Sequence, residues 1–293
     1  MGFRSFMKSL RFATVHPPPP ADLPVTISNW LRNIGVAAVC HPIAEGIMMR
    51  TGCMYFEKSG DLLPGQGKKL GRLMGEAYGN MARTRGYLFT GSAVPFFLGS
   101  KPKGGHFFLH VPKGADPSTP VLLLLHGYGG NLLYFPWAVQ KEMPECVLVA
   151  PSWQVAWTEG SFKNRRDYVE MALSHASDKI GWRLQKPWLV PLSQGGSMAF
   201  ELAAKRTAKF TGLLGISTFA ENTDSVRSLP SSFPVRLLHG DADDRIPCEC
   251  VSKTIRAIRG AGGDAKITVI PGADHFLILS HRKQMGKFLR ENI

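Results

Sequence analysis

The nine residues from Trp188 to Gly196, WLVPLSQGG, decide the fold of this chain. An apolar run suited to a buried strand stops abruptly at Ser193, and two glycines follow one residue later. The next segment, SMAFELAAKR, is rich in residues that favour a helix. A buried strand, a sharp turn with serine at its apex and a following helix expose a hydroxyl nucleophile at the end of a sheet.

Two later segments contain the partners that such a serine needs. LLHGDADDRIP, residues 237–247, carries three aspartates, and VIPGADHFLI, residues 269–278, carries His275. A serine hydroxyl needs a nearby base to remove its proton, and an acid must hold the imidazole of that base in the right tautomer. The chain order serine, acid, histidine therefore favours a catalytic triad over unrelated loop residues.

From about residue 105 onward the chain alternates strand-like and helix-like segments. VLLLLH and KPWLVPL are continuous apolar runs, as expected for strands covered on both faces of a parallel sheet, and helical patterns such as DYVEMALSHASDKIG lie between them. This alternation predicts an α/β fold with a doubly wound, mostly parallel sheet, whose ligands bind at the carboxyl ends of the strands. The three motifs all follow predicted strand ends.

Residues 105–293 resemble the α/β-hydrolase superfamily, and within it the carboxylesterase and acyl-protein thioesterase group. The matching motifs are LLLHGYGGN, LSQGG, HGDADDRIP and GADHF. The resemblance implies that Ser193 is the nucleophile and His275 the base. The family pattern Gly-x-x-Asp-x-x-aliphatic-Pro, counted from Gly240, selects Asp243 as the acid, with Asp241 and Asp244 as alternatives.

Acyl transfer also requires an oxyanion hole built from two backbone N–H groups. We expect one from Gln194, directly after the nucleophile, and the other from Tyr128 in the HGYGG loop. Pro191 departs from the family pattern, which favours a small residue two places before the nucleophile, so we expect a slightly altered turn. Trp153 and Trp157 are predicted to line the substrate pocket, with simple core packing as the alternative.

The composition restricts the classes of protein to consider. The chain has 293 residues, of which 44% are hydrophobic, enough for one large core. No run of eighteen apolar residues predicts a transmembrane helix. The five cysteines are scattered, and Cys248 and Cys250 lack a second ligand pair, so we expect reduced thiols and no zinc site. No motif indicates a metal or an organic cofactor, and none is expected.

The net charge of +13 is concentrated towards the N-terminus, because residues 1–104 hold 13 lysines and arginines against 5 acids. No nucleic-acid-binding motif accompanies this excess, so no nucleic-acid partner is expected. Residues 1–16 contain no acid and, on a helix, would separate apolar from basic side chains. This pattern predicts an amphipathic helix for organelle targeting or peripheral membrane contact, with a frayed basic tail as the alternative.

These patterns divide the chain into three parts. Residues 1–24 form a basic tail with a Pro-rich linker, residues 25–104 a mainly helical extension that is a possible cap, and residues 105–293 the catalytic domain. In the extension, a buried helical face is predicted at Leu70, Leu73, Met74, Ala77 and Met81. A cytoplasmic location is favoured because no secretory signal is evident.

The sequence thus predicts a serine hydrolase that cleaves small to medium acyl esters or thioesters through an acyl-enzyme. A serine peptidase or amidase on the same fold and a catalytically silent binding protein are the alternatives. Only about sixteen residues separate the predicted strands near Thr218 and Val235, which leaves no room for a large lid between them. Any lid over the site must therefore come from the extension or from residues 153–166. The sequence predicts no oligomeric state.

Overall fold

The computed structural model describes residues 12–15, 42–83, 107–153, 157–158 and 160–293. Its centre is an eight-stranded sheet with the strand order β1-β2-β4-β3-β5-β6-β7-β8. Neighbours from β4 to β8 are parallel, whereas β1 and β2 run antiparallel to their neighbours. The strands are β1 (Phe12–Val15), β2 (Phe107–His110), β3 (Val121–Leu125), β4 (Val147–Pro151), β5 (Trp188–Pro191), β6 (Gly212–Ile216), β7 (Val235–Gly240) and β8 (Ala265–Ile270).

Helices alternate with the parallel strands, so the predicted doubly wound, mostly parallel architecture is confirmed. A mainly helical region, within residues 42–83, precedes strands β2 to β8 of this sheet, as predicted. The helices are α1 (Pro42–Lys58), α2 (Gln66–Ala82), α3 (Tyr134–Glu142), α4 (Phe162–Ile180), α5 (Gly195–Arg206), α6 (Thr223–Val226), α7 (Cys248–Gly260), α8 (Leu277–Ser280) and α9 (Arg282–Arg290).

The sheet separates two hydrophobic cores. Successive side chains of a strand point to opposite faces, so Leu122 and Leu124 of β3 enter one core while Leu123 and Leu125 enter the other. The first core also contains side chains of α2, α3, α8 and α9, and the second contains side chains of α4, α5 and α7. Because both faces are covered, the central strands are apolar throughout, as their sequences indicate.

The helices α1 and α2 pack into the first core. The predicted face of α2 is confirmed at Leu70, Met74, Ala77 and Met81, which are buried, while Leu73 is half-buried against the same core. These side chains recur every three or four residues and therefore share one side of the helix.

The two helices approach each other closely. A Cβ atom at Gly67 would lie 2.5 Å from the carbonyl oxygen of Cys53, and one at Gly46 would lie 2.8 Å from the Tyr78 side chain. The backbone can come this near only where the side chain is absent. Glycine at these two positions therefore fixes the spacing of α1 and α2.

The helix predicted for residues 1–16 is wrong for Phe12–Val15, which form strand β1. This segment pairs antiparallel with β2, with Phe12 opposite His110 and Val15 opposite Phe107. Aromatic and β-branched residues suit a strand, and the edge of β2 offers unpaired backbone groups that a short segment can satisfy. Residues 1–11, the Pro-rich linker and the rest of the predicted extension lie outside the described residues. Among those described, no helix has the length and apolarity to cross a membrane.

Candidate active site

Ser193 sits at the turn between β5 and α5 in a left-handed conformation, with φ of 50°. This conformation is unfavourable for a residue with a side chain and persists only where the surroundings fix it. Here the Ser193 N–H donates to the carbonyl of Ile216 at 3.0 Å, and its own carbonyl accepts from the Gly196 N–H and the Thr218 hydroxyl. The strand–turn–helix unit therefore holds the half-buried serine at the apex of the turn, where it lines the cleft.

The turn is packed tightly against the end of β3. A Cβ atom at Gly195 would lie 2.1 Å from the carbonyl oxygen of Leu125 and 2.8 Å from that of His126. Pro191 is the last residue of β5 and pairs with Leu125 in register. The crowding that makes glycine necessary after the nucleophile thus comes from β3, and Pro191 is not among the nearest neighbours of that Cβ.

The structure brings Ser193, His275 and Asp243 into one hydrogen-bonded chain. His275 Nε2 lies 2.9 Å from Ser193 Oγ, and His275 Nδ1 lies 2.8 and 3.0 Å from the two carboxylate oxygens of Asp243. All three side chains follow strand ends, of β5, β7 and β8. They converge because the carboxyl ends of parallel strands meet at one edge of the sheet.

The protonation state of the hydrogen-bonded triad depends first on Asp243. Burial raises the pKa of Asp243, but hydrogen bonds from His275 and from the backbone N–H groups of Ile246 and Arg245 outweigh it and hold the pKa below its ordinary value. The carboxylate is therefore ionised and accepts from Nδ1–H of His275. In the neutral tautomer that this bond favours, Nε2 faces the Ser193 hydroxyl as an acceptor, the arrangement needed in a general base.

The two competing aspartates have other partners. Asp241 accepts a hydrogen bond from the Gly272 N–H at 2.6 Å, which ties the β7 and β8 loops together. Asp244 is exposed, and its carboxylate lies 3.4 Å from the side-chain amide of Gln66. Of the three, only Asp243 reaches His275, so the geometry singles out the residue that the family pattern selects.

A second histidine, His239, lies behind the acid and was not identified from the sequence. Its side chain is fully buried in β7, Nε2 donates to the carbonyl of Ile246 at 2.8 Å, and the same nitrogen lies 3.7 Å from Asp243. Burial lowers the pKa of His239, which favours the neutral ring. The HG dipeptide at the end of the strand was the only sequence signal for this contact.

The predicted oxyanion donors flank the nucleophile. A Cβ atom at Gly127 would lie 3.2 Å from the Ser193 Cβ, so the HGYGG loop passes directly beside the serine. Within the described part of the chain, neither the Tyr128 N–H nor the Gln194 N–H donates to a protein acceptor. Gln194 also precedes the twelve residues of α5, whose N-terminal dipole favours negative charge.

His126 shapes the oxyanion loop from inside the protein. The Trp153 N–H donates to Nε2 of His126 at 3.2 Å, so the proton must be on Nδ1, which donates to the carbonyl of Gly127 at 2.8 Å. Burial lowers the pKa of His126 to about 4. The ring is therefore neutral near pH 7 and supports the loop structurally, through its hydrogen bonds to Gly127 and Trp153.

Trp153 and Trp157 do not line the cleft that contains Ser193, so the prediction of a substrate contact is wrong. Both rings lie in the second core and stack with centroids 6.1 Å apart, and Trp157 also packs 5.0 Å from His126. After β4 the chain turns towards α4, where the ring of Tyr168 lies 5.0 Å from that of Trp153. Simple core packing, the alternative given for Trp153 and Trp157, is what the structure shows.

The cleft around Ser193 has a volume of about 350 Å³. Aromatic and aliphatic side chains form one part of its wall, and polar side chains of α5 and the acid loop form another. The sequence did not indicate these neighbours of the triad. Within residues 42–83 no side chain lines the cleft, and the described residues contain no cluster of three metal-ligating groups. The lining includes Tyr134, Phe135, Ser197, Phe219, Glu221, Arg245, Ile246, Phe276 and Ile278.

Known proteins resemble this chain in sequence and in fold. Acyl-protein thioesterase 1 of Gibberella zeae is 31% identical over 111 residues, which are 34% of this chain and 46% of that protein. The chain therefore spans about half the length of this curated relative.

Two solved structures, a carboxylesterase of Bacillus cereus and a lipase-esterase related protein of Clostridium acetobutylicum, each align with 65% of this chain. Both have a TM-score of 0.52, with 16% and 13% identity and 96% and 100% of their own chains covered. At these identities the likeness shows the fold alone. The sequence model of the α/β hydrolase family matches residues 94–286, about two thirds of the chain. This protein therefore belongs to the α/β hydrolase family.

Proposed function

We propose that this chain is a serine hydrolase that cleaves carboxylic ester or thioester bonds of small to medium acyl groups. The observation that carries the proposal is the hydrogen-bonded chain from Ser193 through His275 to Asp243, with Ser193 and His275 lining an open cleft. An ionised acid, a correctly oriented imidazole and a hydroxyl that the substrate can reach are the three parts that acyl transfer needs.

In the first half of the reaction, Ser193 Oγ attacks the carbonyl carbon while Nε2 of His275 takes the hydroxyl proton. The carbonyl oxygen becomes an oxyanion, which the N–H groups of Tyr128 and Gln194 stabilise. The C–O or C–S bond to the leaving group then breaks, and the imidazolium returns its proton to the departing alkoxide or thiolate. Asp243 stabilises the imidazolium throughout, because its carboxylate is ionised.

In the second half, water replaces the leaving group. His275 removes a proton from the water, the hydroxide attacks the acyl-enzyme carbonyl, and the same oxyanion donors are used again. Collapse of this tetrahedral species breaks the bond to Ser193 Oγ, and the imidazolium protonates the serine. The products are a carboxylic acid and the free enzyme.

The dimensions of the cleft support small to medium acyl groups. Its volume of about 350 Å³ lies at the low end of the roughly 300–1,000 Å³ typical of ligand pockets. The aromatic and aliphatic part of the wall suits an acyl chain. The similarity to an acyl-protein thioesterase supports thioesters as one substrate class.

The test is hydrolysis of p-nitrophenyl esters from acetate to palmitate, with matched thioesters, by the wild type and Ser193→Ala. We expect turnover that is greatest for short to medium chains and that Ser193→Ala abolishes. A fluorophosphonate probe should label the wild type and leave Ser193→Ala unlabelled.

Two outcomes would overturn the proposal. Faster cleavage of the matched anilides than of the esters would identify an amidase. A folded wild type that neither turns over any substrate nor reacts with the probe would indicate the catalytically silent binding protein.

A further inference from the structure

The hairpin of α1 and α2, residues 42–83, contacts the loop that carries the first oxyanion donor. The carboxylate of Glu45 is almost wholly buried, with 1% of the residue exposed. It accepts a hydrogen bond from the Leu133 N–H at 2.6 Å and another from the Tyr78 hydroxyl. Leu133 precedes α3, five residues after Tyr128. A buried, doubly bonded carboxylate of the hairpin thus fixes the end of the oxyanion loop.

The same hairpin contacts the loop that carries the acid. Nη2 of Arg245 donates to the carbonyl oxygen of Asp61, in the connection between α1 and α2, at 2.7 Å. The backbone N–H of Arg245 donates to Asp243 at 3.0 Å. One residue therefore bonds both to the hairpin and to the acid of the triad.

A third contact reaches the loop that carries the base. Nζ of Lys69, on α2, lies 2.7 Å from a carboxylate oxygen of Asp274, whose other oxygen accepts from the Phe276 N–H at 3.1 Å. Asp274 and Phe276 are the residues on either side of His275. The hairpin therefore holds the backbone on both sides of the catalytic imidazole through one carboxylate.

We propose that this hairpin is a positioning element that keeps the oxyanion loop, the acid loop and the histidine loop in one geometry, and that Glu45 and Lys69 are positioning residues. The proposal rests on the proposed function. The hairpin suits this role because its two helices are closely packed and α2 is anchored in the first core. It acts through the loops, since no side chain of residues 42–83 lines the cleft.

The first test compares Lys69→Ala with Lys68→Ala, which removes an exposed cation from the adjacent position of α2. A displacement near 1 Å at a catalytic group costs up to about 100-fold in rate. We expect Lys69→Ala to lower kcat by roughly 10- to 100-fold with little change in KM. Lys68→Ala should keep wild-type kinetics, and Lys69→Arg should restore most of the lost kcat.

The second test uses amide hydrogen exchange, which does not require activity. Glu45→Gln keeps the size of the side chain but removes its charge, and it should raise exchange in residues 127–133. Lys69→Ala should raise exchange in residues 272–277. Lys68→Ala should change neither segment.

Unchanged kcat and unchanged exchange in both Glu45→Gln and Lys69→Ala would overturn the positioning role. A loss of activity that matched a general loss of folded protein would do the same. A wild type without turnover or probe labelling would overturn the proposed function instead, and the exchange comparison would still decide whether the hairpin holds the loops.

Discussion

Replacement of Gly195 by alanine should displace the nucleophile from its oxyanion loop. The new Cβ would lie 2.1 Å from the Leu125 carbonyl oxygen, whereas real Cβ atoms essentially never approach another atom within 3.0 Å. At least about 0.9 Å of movement is therefore needed between the turn and β3. The Leu192 N–H donates to the same carbonyl at 2.9 Å, so the movement strains the hydrogen bond that joins them. A shift of this size corresponds to about 100-fold in kcat/KM, or about 2.7 kcal/mol.

The assay is kcat/KM for the best p-nitrophenyl ester, with thermal unfolding measured on the same samples. Gly75→Ala on α2 is the matched control, because nothing lies within 4 Å of its Cβ position. It should keep wild-type activity and gain about 0.5–1 kcal/mol of stability, since alanine is the better helix former. Gly195→Ala with wild-type kcat/KM would show that the turn tolerates this displacement and that the reasoning from backbone crowding is wrong.

Three further predictions have distinct expected outcomes. Asp243→Asn should lower kcat by roughly 10⁴-fold, because an amide favours the wrong imidazole tautomer, whereas Asp244→Asn should keep wild-type kcat; equal losses would contradict the assignment of the acid. Between pH 6.5 and 4 the unfolded state binds a proton that buried His126 excludes, so acidification should lower the free energy of unfolding by up to about 3 kcal/mol. Urea titrations of His126→Asn at several pH values should show a smaller fall in the free energy of unfolding on acidification. An unchanged pH dependence in this variant would refute the role given to His126. Trp157→Phe should cost about 1–3 kcal/mol of stability without changing KM in the ester series. A changed KM would show that the ring contacts the substrate after all.

The parts of the fold that could be predicted from sequence are those that local patterns determine. The apolar run ending at Ser193 and its glycines predict a strand, a turn and a helix, and the structure has all three. The positions of Asp243 and His275 follow strand ends, so parallel strands alone bring them to one edge of the sheet. The helical spacing around Leu70 likewise predicts the buried face of α2.

Long-range contacts were not accessible in this way. Phe12–Val15 reads equally well as part of an amphipathic helix, and only the unpaired edge of β2 decides in favour of a strand. Trp157 follows a strand end as the triad residues do, but the chain then turns its ring into the second core. The pairing of Lys69 with Asp274 joins positions about two hundred residues apart, and no periodicity in the sequence indicates it.

The pairing of β1 with β2 also constrains how the protein is made and shortened. About ninety residues, including α1 and α2, separate these two adjacent strands. During synthesis β1 therefore cannot pair until β2 has been made. Closing so long a loop costs entropy before the pairing gains any stability. A truncated chain that starts after residue 24 would keep the triad but expose the edge of β2. An open edge is a template for pairing between molecules, so such a chain should aggregate during expression even though every catalytic side chain is present.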